Sequence, residues 1–301
     1  MQKLPGFLRL MRPANIVTAI SDILAGVAIA NYTTNHYWFQ QNWSSILLLV
    51  VSTIGLYGGG VVLNDVFDAE LDKTERPERP IPSGIVSKKA AALLASFLFL
   101  IGIGAAAFVH PMQLFLVTTL LAIAITLACI VYDKWGKHHA YFGPVNMGLC
   151  RGLNLLLGIS ILPSALTIYW PVFIIPVIYI AAITMISRGE VHGGKKSTLY
   201  GAVILYSIVI SSIIYVGIKN NTILYVLCFL LLFGYLIFPP LQKAISEPKG
   251  PLIGKAVKAG VIALIVMNAS WAAAFGSFYF ALFILLLLPV SFLFAKVFAV
   301  T

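Results

Sequence analysis

Charge is what this chain has least of. Only 10% of its 301 residues are Asp, Glu, Lys or Arg, against 60% hydrophobic, and the mean hydropathy is +0.97. Soluble domains run near a quarter charged, so the shortage excludes a soluble protein and points to a polytopic membrane protein. One aqueous core could not hide so much apolar surface. In the bilayer the backbone must close its own hydrogen bonds, so the expected fold is all-α. Cysteine is scarce too. Cys129, Cys150 and Cys228 lie in apolar runs without metal-ligand spacing, and read as small buried hydrophobes. There is no low-complexity tract and no soluble domain, so residues 1–301 are expected to form one transmembrane domain.

What is present is a series of apolar runs of spanning length. They fall at roughly 14–30, 44–64, 89–109, 112–131, 143–161, 168–186, 199–217, 222–238, 256–275 and 277–299. That gives ten candidates, the last two least clearly separated, and an expectation of nine to ten transmembrane helices. Asp22 interrupts the first run and no small-residue cleavage site follows it, so it reads as a retained helix and not a signal peptide. Four polar linkers, 65–88, 133–140, 187–198 and 239–255, follow every second span and therefore share one side. They and the leading Lys3, Arg9 and Arg12 hold most of the basic residues, while Lys219 stands on the other side. The positive-inside rule places both termini and all four linkers in the cytoplasm, with a bacterial inner membrane as the expected host. The net charge of +10 serves topology and attraction to anionic lipid, with the bilayer and not nucleic acid as the expected partner.

Acids are the scarcer of the charged residues, ten against twenty Lys and Arg, and their placement is uneven. Six of the ten, Asp65, Asp68, Glu70, Asp72, Glu75 and Glu78, crowd into "VVLNDVFDAELDKTERPERPIPSG", residues 61–84. If the helix through Asn64 continues past the membrane, Asp68, Asp72 and Asp65 lie about 40°, 80° and 100° from it around the axis. The four then share one helix face, and such a stripe of hard oxygens suits Mg²⁺. Glu70 falls on the opposite side and is expected in solvent. Arg76, Arg79, Lys88 and Lys89 follow, around a rigid turn through Pro80, Pro82 and Gly84. Acids interleaved with cations fit a metal–diphosphate ligand. The alternative is a solvated linker with helical ion pairs such as Asp72 with Arg76.

A second polar stretch, "ISRGEVHGGKKSTLYG", has Glu190 as its only acid, with Arg188, His192, Lys195 and Lys196 around Gly189, Gly193 and Gly194. Its glycines are expected to bring backbone amides to a phosphate. The spacing matches no Walker A loop, zinc motif or dinucleotide fingerprint. Inside the spans, Asp22 and Arg151 are costly enough in lipid to suggest a pair across the bundle. Asn15, Asn146 and Asn154 are expected to bridge helices or face a polar cavity. Tyr132, Lys134 and Lys137 read as an interfacial tyrosine–lysine belt.

These motifs resemble a known family. Asn64-Asp65-x-x-Asp68-x-x-x-Asp72 followed by Arg79-Pro80-Ile81-Pro82-Ser83-Gly84 resembles the first signature of the UbiA superfamily of intramembrane prenyltransferases. Gly194-x-x-Ser197-Thr198 is similar to the tail of its second signature, and Arg12-Pro13-x-Asn15 to its start. The resemblance covers about residues 9 to 275. It implies a ring of about nine helices around a central, lipid-opening cavity, capped by the two motif loops. It implies Mg²⁺ held by Asn64, Asp68 and Asp72, with Arg12, Arg79 and Lys195 or Lys196 on the diphosphate of an isoprenyl donor. The second motif departs from the pattern: Glu190 takes the place of one aspartate and Ile186 of the other, which leaves Glu190 as the acid on that side. The "SRGEVHGGK" form resembles the EboC-like branch of the superfamily. The implied activity is Mg²⁺-dependent prenyl transfer from a prenyl diphosphate to a lipophilic or aromatic acceptor. Asp68, Asp72 and Glu190 would be the acting acids, and Tyr132 the first aromatic to test beside the allylic cation. A non-catalytic prenyl-lipid binder or transport component is the alternative, favoured by Ile186. An alcohol phosphatidyltransferase would need a different acidic motif, beginning Asp-Gly, which is not found.

Overall fold

The computed structural model describes residues 3–34, 41–110 and 117–298. The first residues of the span expected at 112–131 and the last of that at 277–299 lie outside them. Among the described residues the chain is helical throughout. A short α1 (Lys3–Met11) is followed by α2 (Pro13–Asn31), α3 (Trp43–Phe67) and α4 (Ala69–Glu75). Then come α5 (Lys88–Ala107), α6 (Val117–Lys134), α7 (Phe142–Ile159), a short α8 (Pro163–Tyr169) and α9 (Ile174–Ser187). The chain closes with α10 (Lys196–Lys219), α11 (Ile223–Ser246), α12 (Gly250–Ala274), α13 (Phe278–Leu285) and α14 (Leu287–Val297).

Nine segments among the described residues are long and apolar enough to cross a membrane. The one expected span not among them, the fifth at 143–161, is α7; it falls short because it carries Asn146, Arg151 and Asn154, yet it is buried within the bundle. The chain is thus an integral multi-pass membrane protein. Gly276, at φ 76, separates α12 from α13. The span expected at 222–238 ends at Phe238, before two prolines. The helix instead runs through Pro239 and Pro240 to Ser246, so the expected linker 239–255 shrinks to 247–249. Proline removes a donor but does not prevent continuation where neighbouring helices hold the backbone.

The helices pack as a closed ring. In order, α2, α3, α5, α6, α7, α9, α10, α11 and α12 each meet the next, and α12 returns to α2. Across the ring α2 also meets α7, and the small residues there explain how closely. A Cβ on Gly26 would lie 2.4 Å from the Leu155 carbonyl oxygen, and one on Gly158 would lie 2.4 Å from that of Ile23. Close backbone approach through small residues is how helices gain packing where lipid gives no hydrophobic push. Gly158→Val is therefore expected to cost about 3 kcal/mol by overpacking, read as a lowered thermal midpoint in detergent.

All four polar linkers come together at one end of the bundle, as their spacing requires. Lys137 in the second linker pairs with Asp68 in the first. The Arg188 guanidinium in the third donates to the His139 carbonyl in the second at 2.6 Å, and the Gly194 N–H donates to the Pro248 carbonyl in the fourth at 3.1 Å. A small apolar core of Leu10, Val62, Val66, Val86 and Ala91 sits beneath the first linker and joins α1 to its proline turn.

Candidate active site

The acidic stretch keeps the helical course expected of it. Although α3 ends at Phe67, the Asp68, Asp72 and Arg76 N–H groups each donate to the carbonyl four residues back, at 2.8–2.9 Å. Asn64, Asp65, Asp68 and Asp72 therefore keep their places along one helix side, and three different parts of the chain supply their partners. Arg79 donates to Asp65 at 3.2 Å and to Asp72 at 2.8 Å, clamping two acids together. Arg12 donates to Asp65 at 2.8 Å. Asp68 is paired with Lys137, and the Asn64 amide donates to Asp133 Oδ1 at 2.9 Å. Asp72 is buried against Arg79, which overturns both the solvated-linker alternative and its Asp72–Arg76 pair. Glu70 is in solvent, paired with Lys73, which holds its carboxyl below the usual range.

These groups surround the mouth of a central cavity of about 310 Å³. Arg12, Asn64, Arg76, Tyr132, Asp133 and Glu190 line it. Asp65, Asp68, Asp72, Arg79 and Lys137 stand behind this lining as an ion-pair layer. Arg12 occupies a left-handed conformation, φ 48, just before Pro13. That conformation is strained for arginine, and the Asp65 contact holds it there.

Sequence reasoning missed Asp133 and Arg76 as cavity residues. Asp133 is 3% exposed, and its Oδ2 has no hydrogen-bond partner. Glu190 Oε1 is likewise buried without a partner. Burial pushes the Glu190 carboxyl above the usual carboxylate range, against the opposing pull of Arg76 and Arg12. A buried, unpaired acid oxygen costs about 1–3 kcal/mol or more, so two of them in one cavity call for a ligand. Asn64 adds a third oxygen, since its amide nitrogen is the atom given to Asp133. Hard oxygens of this kind fit Mg²⁺, which takes one or two carboxylates and completes its shell with phosphate and water. Among the described residues no three His, Cys, Asp or Glu side chains converge, so such an ion would draw its other oxygens from ligand and solvent.

The second loop differs more from expectation. Ile186 is buried in the main core, off the cavity, while Ile183, Thr184, Ser187 and Glu190 face it. The Gly193 and Gly194 N–H groups donate to the carbonyls of Gly189 and Pro248, so these amides serve the loop itself and not a phosphate cradle. Gly193 takes φ 82, which the turn requires. His192, Lys195 and Lys196 are exposed and outside the cavity lining. In the second linker the expected belt divides. Lys134 lies over the Trp135 ring at 4.4 Å, Lys137 turns to Asp68, and Tyr132 lines the cavity.

The floor of the cavity is polar in a different way. Arg151 pairs with Asp22 at 3.0 Å, which bears out the expected pair across the bundle. Asn154 and Asn268 donate to the two Asp22 oxygens at 3.1 and 2.7 Å, and Thr53 donates to Asn154 at 2.8 Å. The Arg151 guanidinium lies 5.3 Å from the centre of the Tyr57 ring, and both residues line the cavity. Tyr57 and Tyr132 are its only aromatic lining among the described residues. Between mouth and floor the wall is apolar, formed by Ile180, Ile183, Val257, Val261 and Leu264.

Comparison with known proteins follows the same lines. Residues 21–250 match the UbiA prenyltransferase family. A digeranylgeranylglyceryl phosphate synthase from Methanococcoides burtonii is 33% identical over 155 residues, 50% of this chain and 53% of that protein. One from Methanoregula boonei is 38% identical over 153 residues, 51% of this chain and 50% of that protein. The chain thus spans about half the length of the curated relatives it matches. Among solved structures, one concerned with digeranylgeranylglyceryl phosphate synthase in membranes has a TM-score of 0.62 at 21% identity, covering 93% of this chain and 100% of that one. A UbiA homologue from Archaeoglobus fulgidus bound to DMAPP and Mg²⁺ has a TM-score of 0.63 at 15% identity, covering 91% and 99%. These structural likenesses establish the fold.

Proposed function

The chain belongs to the UbiA prenyltransferase family, and from that membership we propose that it transfers a prenyl group from an isoprenyl diphosphate to a lipophilic or aromatic acceptor, releasing diphosphate. The observation that carries the proposal is the cavity mouth. There the unpartnered oxygens of Asp133 and Glu190 stand with Asn64 beside the cations Arg12 and Arg76. A diphosphate bound with Mg²⁺ needs both kinds of group. The prenyl diphosphate and Mg²⁺ bound by the A. fulgidus homologue add support, as do the synthase names of the curated relatives.

In this reading Asn64, Asp68, Asp72 and Glu190 would hold the metal, Asp68 being paired with Lys137 in its absence. Arg12 and Arg76 take diphosphate oxygens from within the cavity. Arg79 acts from behind by fixing Asp65 and Asp72, while the exposed Lys195 and Lys196 attract the anionic donor. When bound, Mg²⁺ neutralises charge developing on the leaving diphosphate. The chain's part is to present these charges in a fixed arrangement beside an apolar chamber. Tyr132 and Tyr57 offer aromatic faces to the allylic carbon as it becomes positive. The Ile180, Ile183 and Leu264 wall excludes water, so the acceptor captures that carbon.

The excess of Lys and Arg around the mouth supports a cytoplasmic orientation for the four linkers. The curated relatives are archaeal and lend no support to a bacterial host, so the proposal is restricted to a cell membrane. The second reading, a prenyl-lipid carrier, rests on the core packing of Ile186, which leaves Glu190 as the acid facing the cavity from that side.

Titration of geranyl diphosphate into the purified protein tests the site: binding is expected to tighten when Mg²⁺ is added, and equal binding without the ion would contradict it. Glu190→Gln is expected to weaken Mg²⁺ affinity by about 10-fold while the fold is kept. Its raised carboxyl also fixes a sign. A folded value above the unfolded one adds stability below the unfolded value, and this is lost as pH rises through the folded value. Wild-type stability relative to Glu190→Gln is therefore expected to fall between acid and neutral pH, as measured by paired thermal melts.

A further inference from the structure

We propose that Asp133 is a metal ligand of this chain, forming with Asn64 a carboxylate–amide pair that makes up for the acid absent at Ile186. The inference rests on the reading of the cavity mouth as a metal–diphosphate site. It starts from three observations that the signature motifs do not contain. Asp133 lies in the last turn of α6, outside both acidic loops, and is one of the chain's ten acids. It lines the cavity while being 3% exposed, and its Oδ2 lacks any hydrogen-bond partner. Its other oxygen accepts the Asn64 amide at 2.9 Å.

That last contact orients both side chains. With Nδ2 given to Asp133, Asn64 has Oδ1 left as its ligating atom. With Oδ1 given to Asn64, Asp133 has Oδ2 left. The two uncommitted oxygens thus belong to neighbouring side chains linked by one hydrogen bond, the kind of coupling that orders a metal's oxygen ligands. The remaining acids of the first loop are less available: Asp65 and Asp72 share Arg79, and Asp68 holds Lys137. An ion at this point would gain a full negative charge from Asp133 without breaking any ion pair. An unpaired carboxylate so deeply buried in a membrane helix end is costly unless a cation meets it.

The test is Mn²⁺ binding to the purified full chain, counted from the free-ion electron paramagnetic resonance signal, with and without non-hydrolysable geranyl thiodiphosphate. Asp133→Asn keeps an oxygen that can accept from Asn64 but removes the charge, whereas Asp133→Leu removes both. Both variants are expected to lose at least about 10-fold in Mn²⁺ affinity, with thermal melts confirming that they are folded. If Asp133→Asn binds as wild type does, the ligand assignment is overturned, and loss in Asp133→Leu alone would mark a residue that merely positions Asn64. Should Asp133→Asn fail to fold, the exchange Asn64→Asp with Asp133→Asn restores the same charge to the pair. Binding is expected to return in that exchange, and its absence in a folded protein overturns the inference. Absence of Mn²⁺ binding in wild type, even with the thiodiphosphate, would instead overturn the metal–diphosphate reading on which it rests.

Discussion

Asp68→Ala combined with Asp72→Ala is expected to reduce Mg²⁺-dependent turnover of a prenyl diphosphate by about 10³-fold or more, the scale on which loss of fixed charge stabilisation is felt. Two effects combine. On the proposed reading the metal would lose the two acids that the first motif supplies from behind the cavity lining, while Lys137 loses its partner and Arg79 loses one of two. Lys137 would be left to turn toward the diphosphate, and Arg79, losing its 2.8 Å contact with Asp72, would keep only Asp65 at 3.2 Å. Diphosphate could then still bind through the freed cations, while its dependence on Mg²⁺ disappears. Binding isotherms with and without the ion separate these effects from simple unfolding. Full Mg²⁺-dependent turnover in the double variant would remove this loop from the reaction.

The largest loss of stability is expected deeper in the bundle. Asp22→Leu would leave Arg151 charged and uncompensated at a point where both are almost wholly buried. Removing one member of a buried pair costs about 3–5 kcal/mol. Here the Asn154 and Asn268 amides would also each lose one of two acceptors, keeping the Ala19 carbonyl and the Ser21 hydroxyl. The variant is therefore expected to be poorly folded in detergent, as read by size-exclusion profile and thermal melt. Asp22→Leu with Arg151→Met removes both charges and is expected to recover much of the loss. Equal stability of Asp22→Leu and wild type would show that the pair is solvated in the membrane and not part of the core.

Much of this arrangement was legible in the sequence because the bilayer makes polarity expensive. Asp22 and Arg151 had to find each other, since neither could be left alone in lipid. The linkers had to share one end of the bundle because they follow every second span. The stripe from Asn64 to Asp72 followed from helical periodicity, and the backbone bonds across Asp68 preserve it.

Other features depended on tertiary contacts that spacing does not encode. Arg76 and Arg79 are equivalent in composition, yet the turn through Pro80 and Gly84 sends Arg79 back onto Asp72 and leaves Arg76 to the cavity. Lys137 looked like one more interfacial lysine until the second linker folded across the first. The glycines of the second loop suited a phosphate cradle by composition, but their amides bond within the loop and to the 247–249 turn. Asp133 had a signal that periodicity does not weigh. An acid in the last turn of an apolar helix is rare enough in so uncharged a chain to mark a site before any motif is matched.

The central claim, that this cavity performs prenyl transfer rather than storage, is tested most directly by release of inorganic diphosphate. The purified protein in lipid vesicles would be given prenyl diphosphates of increasing chain length, with lipid and aromatic acceptors, in the presence and absence of Mg²⁺. The account predicts release that needs Mg²⁺, matches the prenylated product in amount, and is lost in the Asp68→Ala, Asp72→Ala variant. Tight binding of the same donors with no release under any of these conditions would contradict it, and would identify the protein as a carrier.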